Sequence, residues 1–133
     1  MAKIDWALVC DHAFLDRQDR LCLIGVAKQI PAPTLPLTLH QVMLVARLTD
    51  IRPFDEVAIH VGMVTPSGKH LARTGSDHVV VEMAGEYALA TLRDIPLMEE
   101  GVHRFQIRLR GQPVVSVQIP VLTMGRAAYA GVQ

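Results

Sequence analysis

The sequence has no excess of charge of either sign and contains few aromatic residues. Lys and Arg number 13, Asp and Glu also number 13, and the formal net charge is zero. A nucleic-acid-binding surface needs an excess of positive charge, and a platform for single strands needs aromatic rings, which make up only 5% of this chain. The composition therefore argues against a nucleic-acid partner. It favours self-association instead, because a neutral chain has little colloidal repulsion.

The sequence also lacks a signal peptide and a spanning segment. Asp5 and Asp11 interrupt what would be the apolar part of an N-terminal signal. The uncharged run 29–46 is long enough to cross a bilayer, but its prolines are incompatible with a straight spanning helix. These are Pro31, Pro33 and Pro36. We expect a soluble cytoplasmic protein with no membrane partner.

Cysteine is scarce, and the two present are not placed for a disulfide. Cys10 and Cys22 lie on either side of a turn predicted at residues 16–20. Pairing about this turn places Cys10 opposite residue 25 or 26 and Cys22 opposite residue 13. An offset of about three residues, at roughly 3.3 Å each, exceeds the reach of a disulfide. We expect two reduced thiols that pack as small apolar side chains.

Apolar residues alternate with polar ones along most of the chain, which is typical of half-buried β-strands. The segment 101–121 is the clearest case. His103, Phe105, Ile107 and Leu109 share one face, and arginines share the other. Strands are predicted near 5–14, 20–30, 41–49, 56–65, 78–84, 87–94, 102–110 and 114–122. No segment has a convincing helical stripe.

Seven to eight short strands separated by turns predict an all-β protein, an antiparallel β-sandwich with Greek-key connections. Residues 99–105 make this an immunoglobulin-like sandwich, because they resemble the corner between its fifth and sixth strands. Gly101, His103 and Phe105 fall at the spacing of that corner, with His103 where a tyrosine is usual. One ring nitrogen of His103 is expected to bond to upstream backbone. We predict one domain over 1–124 and a tail at 125–133 that forms one helical turn or frays.

Two segments resemble a family of small bacterial proteins of uncharacterised function. Val9-Cys10-Asp11 and Arg20-Leu21-Cys22-Leu23-Ile24-Gly25 are similar to the first hairpin of that family, and residues 101–121 are similar to its last hairpin. The resemblance covers most of the chain and implies an immunoglobulin-like sandwich. It implies no activity, and Cys22 departs from it because serine is commoner there.

Polar residues suggest two weak catalytic or metal sites. Asp11 and His12 lie in an apolar strand, and Asp77 and His78 follow Ser76 in a polar loop, but neighbouring residues on a strand point to opposite faces. The six histidines show no metal-ligand spacing, and the acidic residues match no calcium loop. We expect the Asp11 carboxylate to accept hydrogen bonds from backbone or the indole at the sheet end, because charges are seldom buried unless paired. We expect no metal and no cofactor.

Arginines and prolines mark two candidate contact surfaces. Arg104, Arg108 and Arg110 lie on one side of a predicted strand and suit an anion or an acidic partner, or form an ordinary solvated face. The run 30–39 combines three prolines with four apolar residues. It is expected to cover an open end of the sandwich, or to dock on another chain.

The sequence thus favours a non-catalytic binding or assembly module that takes a protein partner or forms a homodimer. The first alternative is a small hydrolase that uses Asp11 and His12 or Asp77 and His78. The second is a metal-binding sandwich. Fold class alone does not choose between them.

Overall fold

The computed structural model describes residues 1–53 and 55–123, and these form ten strands. The strands are β1 (Lys3–Leu15), β2 (Leu21–Val26), β3 (Ile30–Ala32), β4 (Leu37–Thr49), β5 (Ile59–Val64), β6 (His70–Arg73), β7 (Val79–Ala84), β8 (Tyr87–Leu97), β9 (Gly101–Leu109) and β10 (Val115–Thr123). The predicted tail at 125–133 lies outside the described residues. Among those described, no helix is long and apolar enough to cross a membrane.

The ten strands form two five-stranded sheets. Sheet one has the order β2-β1-β4-β8-β7, and sheet two has the order β3-β10-β9-β5-β6. Pairing is antiparallel except between β3 and β10, which are parallel. The chain changes sheets between β4 and β5, between β6 and β7 and between β8 and β9, as in an immunoglobulin-like Greek key, and it also crosses to sheet two and back at β3. The protein is an immunoglobulin-like β-sandwich, with β2 and β3 added between the first two strands of the usual pattern.

The main core lies between the two sheets and follows from the alternation in the sequence. On β9 the inward side chains Phe105 and Ile107 are fully buried, whereas Arg104 and Arg108 are exposed. This arrangement confirms the two-residue periodicity predicted for 101–121. Facing side chains from sheet one include Leu44 and Leu92, which are also fully buried. Each such side chain contributes about 1.5–3 kcal/mol of burial free energy.

A second apolar cluster lies on the other face of sheet one. Met43 and Val45 belong to it, whereas their neighbour Leu44 points into the main core, so the two clusters occupy opposite sides of β4. Its other buried members are Cys10, Ala13 and Leu89, with Trp6, Leu8, Leu21, Leu23, Ala84 and Tyr87 packed around them. Sheet one is therefore apolar on both faces, unlike the half-solvated sheet expected from the sequence.

Two strands were not predicted. β3 lies in the proline-rich run 30–39 and pairs with the end of β10, where Ala32 is fully buried. Leu35, Leu37 and Leu39 then pack against the main core, and β4 begins at Leu37 instead of residue 41. The run is thus an integral part of the sandwich, because β3 is an edge strand of sheet two. The choice between a cover and a docking segment stays a prediction. β6 is a strand of four residues between two turns.

Candidate functional site

A polar concave surface lies on the outer face of sheet two. Gly62 of β5 forms its floor, because it has no side chain where its neighbours on β6 and β9 carry long ones. A β-carbon built at Gly62 would approach the Ala72 carbonyl oxygen to 3.1 Å. The resulting groove has a volume of about 330 Å³. Its lining residues are His60, Val61, Gly62, His70, Arg73, Thr74, Gln106, Ile107, Arg108 and Val114.

The register of three strands brings basic side chains to this groove. His60 lies opposite Arg108 on β9, and Gly62 lies opposite Arg73 on β6. His70 contributes a fourth basic side chain, and the lining contains no Asp or Glu. In the part of the chain that the structure describes, no carboxylate lies within 4.0 Å of Arg73 or Arg108. The groove is therefore a site of uncompensated positive charge.

The three arginines predicted as one face are divided between different surroundings. Arg108 lines the basic groove, whereas Arg104 lies outside it, opposite Val64 on β5 and Gln118 on β10. Arg110 follows the end of β9 and lines a separate depression, of about 440 Å³, that contains the carboxylates of Asp55 and Glu56. The groove instead contains His60, His70 and Arg73, which sequence reasoning did not connect with Arg108. Gly62 was the available signal, because a glycine inside a strand often marks a close approach.

A second candidate surface is the free edge of β2. Among the described residues β2 pairs with β1 alone, so its other side is an unpaired edge. The strand, Leu21-Cys22-Leu23-Ile24-Gly25-Val26, contains no charged residue and no proline. Ile24 and Val26 are each 54% exposed, and Leu21 and Leu23 belong to the margin of the second apolar cluster.

An aromatic and charged row lies at one end of the second cluster. Arg47 on β4 lies opposite Trp6 on β1 and opposite Tyr87 on β8. The centroids of the Trp6 and Tyr87 rings are 6.1 Å apart. The Arg47 guanidinium contacts the carboxylates of Asp5 at 2.9 Å and Glu86 at 3.3 Å. Hydrogen bonds to Asp5 and Glu86 raise the pKa of Arg47. The charge of this arginine is therefore compensated, unlike that of Arg73 and Arg108.

Asp11 and His12 are neighbours on β1 that share no hydrogen bond in the described residues. Both are exposed on β1, and the His12 ring stacks near Phe14 with centroids 5.6 Å apart. The Asp11 carboxylate lies over Gly25 of the neighbouring strand. Within residues 1–53 and 55–123 it accepts no hydrogen bond, so the expectation of backbone or indole donors was wrong. Its negative charge contributes, after burial, to raising the pKa of the Cys10 thiol.

The Ser76-Asp77-His78 loop is held together by its own side chains. The Ser76 hydroxyl donates to the Arg73 carbonyl at 2.7 Å, and His78 Nδ1 lies 2.9 Å from the Arg93 carbonyl oxygen. Ser76, His78 and His70 line a small depression of about 200 Å³. Because Ser76 and His78 each contact backbone carbonyls, their polar atoms fix the loop in place. Across the described residues, no group of three or more His, Cys, Asp or Glu side chains is placed to hold a metal ion.

The corner before β9 joins that strand to the β5–β6 turn. His103 is fully buried, and its Nδ1 lies 3.0 Å from the Gly101 carbonyl oxygen, so the bond to upstream backbone is present. Glu99 accepts hydrogen bonds from the Ser67 hydroxyl at 2.7 Å and the Ser67 amide at 3.2 Å. These bonds lower the pKa of Glu99. Gly101 has φ +117°, and a β-carbon there would lie 2.9 Å from Pro66 Cγ.

The two cysteines are free. Cys10 lies opposite Val26, as predicted, and Cys22 lies opposite Phe14, one residue from the predicted position. The thiols are therefore four residues apart along the hairpin. Cys10 is fully buried, whereas Cys22 is partly exposed on the edge strand.

Comparison with family models gives one match over nearly the whole sandwich. Residues 5–122 match the model of DUF6941, described as a family of unknown function. The chain belongs to this family. The match includes both hairpins on which the resemblance to an uncharacterised family was based. Comparison with curated proteins finds no match.

Solved structures similar to this chain are immunoglobulin-like domains. One chain in a crystal structure of Dpr1 IG1 bound to DIP-eta IG1 has a TM-score of 0.42 and 12% identity, and the match covers 93% of this chain and 96% of that one. The first immunoglobulin domain of ZIG-8, in a homodimer crystal structure, has a TM-score of 0.38 and 13% identity, with 74% and 81% coverage. The assignment of the fold rests on the strand order of the protein itself.

Proposed function

We propose that this protein is a non-catalytic assembly module that self-associates through the free edge of β2. The observation that carries the proposal is the composition of that edge, six residues without charge or proline. An unprotected edge strand presents unpaired backbone N–H and C=O groups, and these template pairing with another chain. A reducing compartment such as the cytoplasm suits the two free thiols.

The other sheet edges carry features that discourage pairing. β3 contains Pro31, and β6 is four residues long with His70 and Arg73 at its two ends. β7 carries the exposed Glu82 in its centre. Short strands, prolines and charges are the usual means by which proteins protect their edges. β2 has none of them, so its exposed backbone is the best-suited docking edge among the described strands.

A second copy is the occupant that fits this edge. Two β2 strands related by a twofold axis pair antiparallel and place no like charges opposite each other, because the strand is uncharged. Pairing would also bring together the two apolar clusters that end at Leu21 and Leu23. The zero net charge of the chain adds no long-range repulsion between copies.

The experiment compares two matched edge substitutions. Ile24 on β2 and Val80 on β7 are 54% and 53% exposed and lie on opposite edges of sheet one. We expect light scattering to give twice the chain mass of 14.6 kDa for the wild type and for Val80→Lys. Ile24→Lys should raise the dimer dissociation constant by about tenfold or more, because a lysine at the pairing edge must be desolvated.

Hydrogen exchange provides a second readout. Amides of 21–26 should become more protected as the protein concentration rises, whereas those of 79–84 should not, because only β2 gains backbone partners. A wild-type monomer at micromolar concentration would refute the proposal. Dissociation by Val80→Lys in place of Ile24→Lys would place the interface on β7.

A further inference from the structure

The basic groove over Gly62 is a concave surface separate from the β2 edge. It lies on the outer face of sheet two, whereas β2 is the edge of sheet one. Its volume of about 330 Å³ falls within the range of ligand-binding clefts. Four basic side chains line it and no acidic one does. The local surplus of positive charge occurs in a chain whose net charge is zero, so acidic residues elsewhere in the chain balance it.

We propose that the groove binds an acidic peptide segment of a partner protein, in extended conformation. Arg73 and Arg108 provide permanent positive charges, and their planar guanidinium groups suit bidentate pairing with carboxylates. A carboxylate ligand supplies the counter-charge that neither arginine has among the described residues. Electrostatic complementarity of this kind determines the choice of partner and the rate of association.

The positions of the two arginines favour a ligand with more than one carboxylate. Arg73 on β6 and Arg108 on β9 lie on either side of β5, so their strands are about 10 Å apart. Arg73 is opposite Gly62 and Arg108 is opposite His60, which adds an offset of two residues along β5. This separation allows each guanidinium to pair with a different carboxylate. An extended peptide displays alternate side chains on one face, and acidic residues at alternate positions provide two separated carboxylates.

The neutral lining residues are suited to a peptide more than to a nucleic acid. Gln106 offers an amide donor and acceptor beside Arg108, as peptide backbone groups require. The Thr74 hydroxyl oxygen already accepts a hydrogen bond from the Val61 amide at 2.7 Å. The lining includes no Phe, Tyr or Trp on which nucleobases would stack.

The test measures fluorescence anisotropy with a labelled peptide in which glutamate and serine alternate. We expect saturable binding that weakens as salt is raised from about 50 mM to about 200 mM, because exposed charges are screened over this range. Arg108→Glu and Arg73→Glu should each raise the dissociation constant by about tenfold or more. The matched control is Arg104→Glu, which makes the same charge change on the same exposed side of β9 but outside the groove. This control should change the dissociation constant less than about threefold.

Further measurements with other probes and variants identify the class of ligand. The same peptide with glutamine in place of glutamate should not bind, and inorganic phosphate should compete only weakly. Ile24→Lys should bind the acidic peptide like the wild type, because the β2 edge is not part of this site. Arg108→Gln and far-UV circular dichroism of every variant exclude loss of fold as the cause. The proposal is overturned by absence of saturable binding at low salt, by an equal loss in Arg104→Glu, or by preferential binding of a single-stranded oligothymidylate.

Discussion

The Asp11 carboxylate covers the α-carbon of Gly25 on the neighbouring strand. A β-carbon added at Gly25 would lie 2.8 Å from Asp11 Cγ, closer than real side chains approach. Gly25 also has φ +67°, a conformation that residues with a β-carbon adopt only at a cost. Two independent constraints therefore select glycine at this position. Asp11 therefore has a packing contact, its carboxylate lying over Gly25, although it accepts no hydrogen bond in the described residues.

Gly25→Ala should lower the free energy of unfolding by about 1–2 kcal/mol from the left-handed conformation alone, and further through the contact with Asp11. Urea denaturation of Gly25→Ala, Asp11→Ala and the double variant separates the two contributions. The double variant should recover the part due to the contact and retain the part due to φ. Strictly additive losses would show that the two residues do not interact.

Glu99→Gln should remove part of the pH dependence of stability at acid pH. Hydrogen bonds from Ser67 lower the pKa of Glu99 in the folded protein. The stabilisation is therefore fully present above the unfolded value of about 4.3, and it is lost as pH falls through the lower folded value. The difference in unfolding free energy between wild type and Glu99→Gln should accordingly shrink as the pH falls below the unfolded value. Ser67→Ala should behave similarly, and a difference that grows towards acid pH would contradict the assignment.

His103→Ala should destabilise the corner strongly. The ring is fully buried, and loss of a buried ring of this size costs about 2–4 kcal/mol. Because a carbonyl oxygen can only accept, Nδ1 donates to Gly101, and His103→Phe should retain packing while losing that bond, at about 1–2 kcal/mol. The adjacent exposed residue provides the control, since Arg104→Ala should change stability by less than about 0.5 kcal/mol. Equal losses for the alanine and phenylalanine variants would show that packing contributes little.

The sequence was sufficient where side chains alternate over a long strand. Residues on β9 and β10 follow the predicted faces, and the turn after Leu15 set the pairing of Cys10 with Val26. β3 was missed because a proline argues against a strand, although Pro31 is tolerated at an edge. β6 was missed because four residues are too few to establish a period. The second apolar cluster was missed because alternation does not reveal that both faces of a strand are covered.

The groove was beyond sequence reasoning for a different reason. Arg108 belongs to a visible row of arginines, but its neighbours His60 and Arg73 are set by the pairing of β5 with β9 and β6. Register between strands distant in sequence depends on how the whole sandwich packs, and a shift of one residue would turn these side chains to the other face. The same argument explains why Arg104, four residues away on β9, lies outside the groove.

The two thiols should differ greatly in reactivity. Burial, and then the charge of Asp11, raise the pKa of Cys10, so little of the reactive thiolate forms at neutral pH. Cys22 is partly exposed on the β2 edge. The test uses Ile24→Lys, in which the β2 edge stays accessible. A chromogenic disulfide reagent should modify Cys22 quickly and Cys10 only when the protein unfolds. Cys22→Ser should abolish the fast phase and Cys10→Ser should retain it, whereas a fast reaction in Cys22→Ser would show that the strand around Cys10 opens readily.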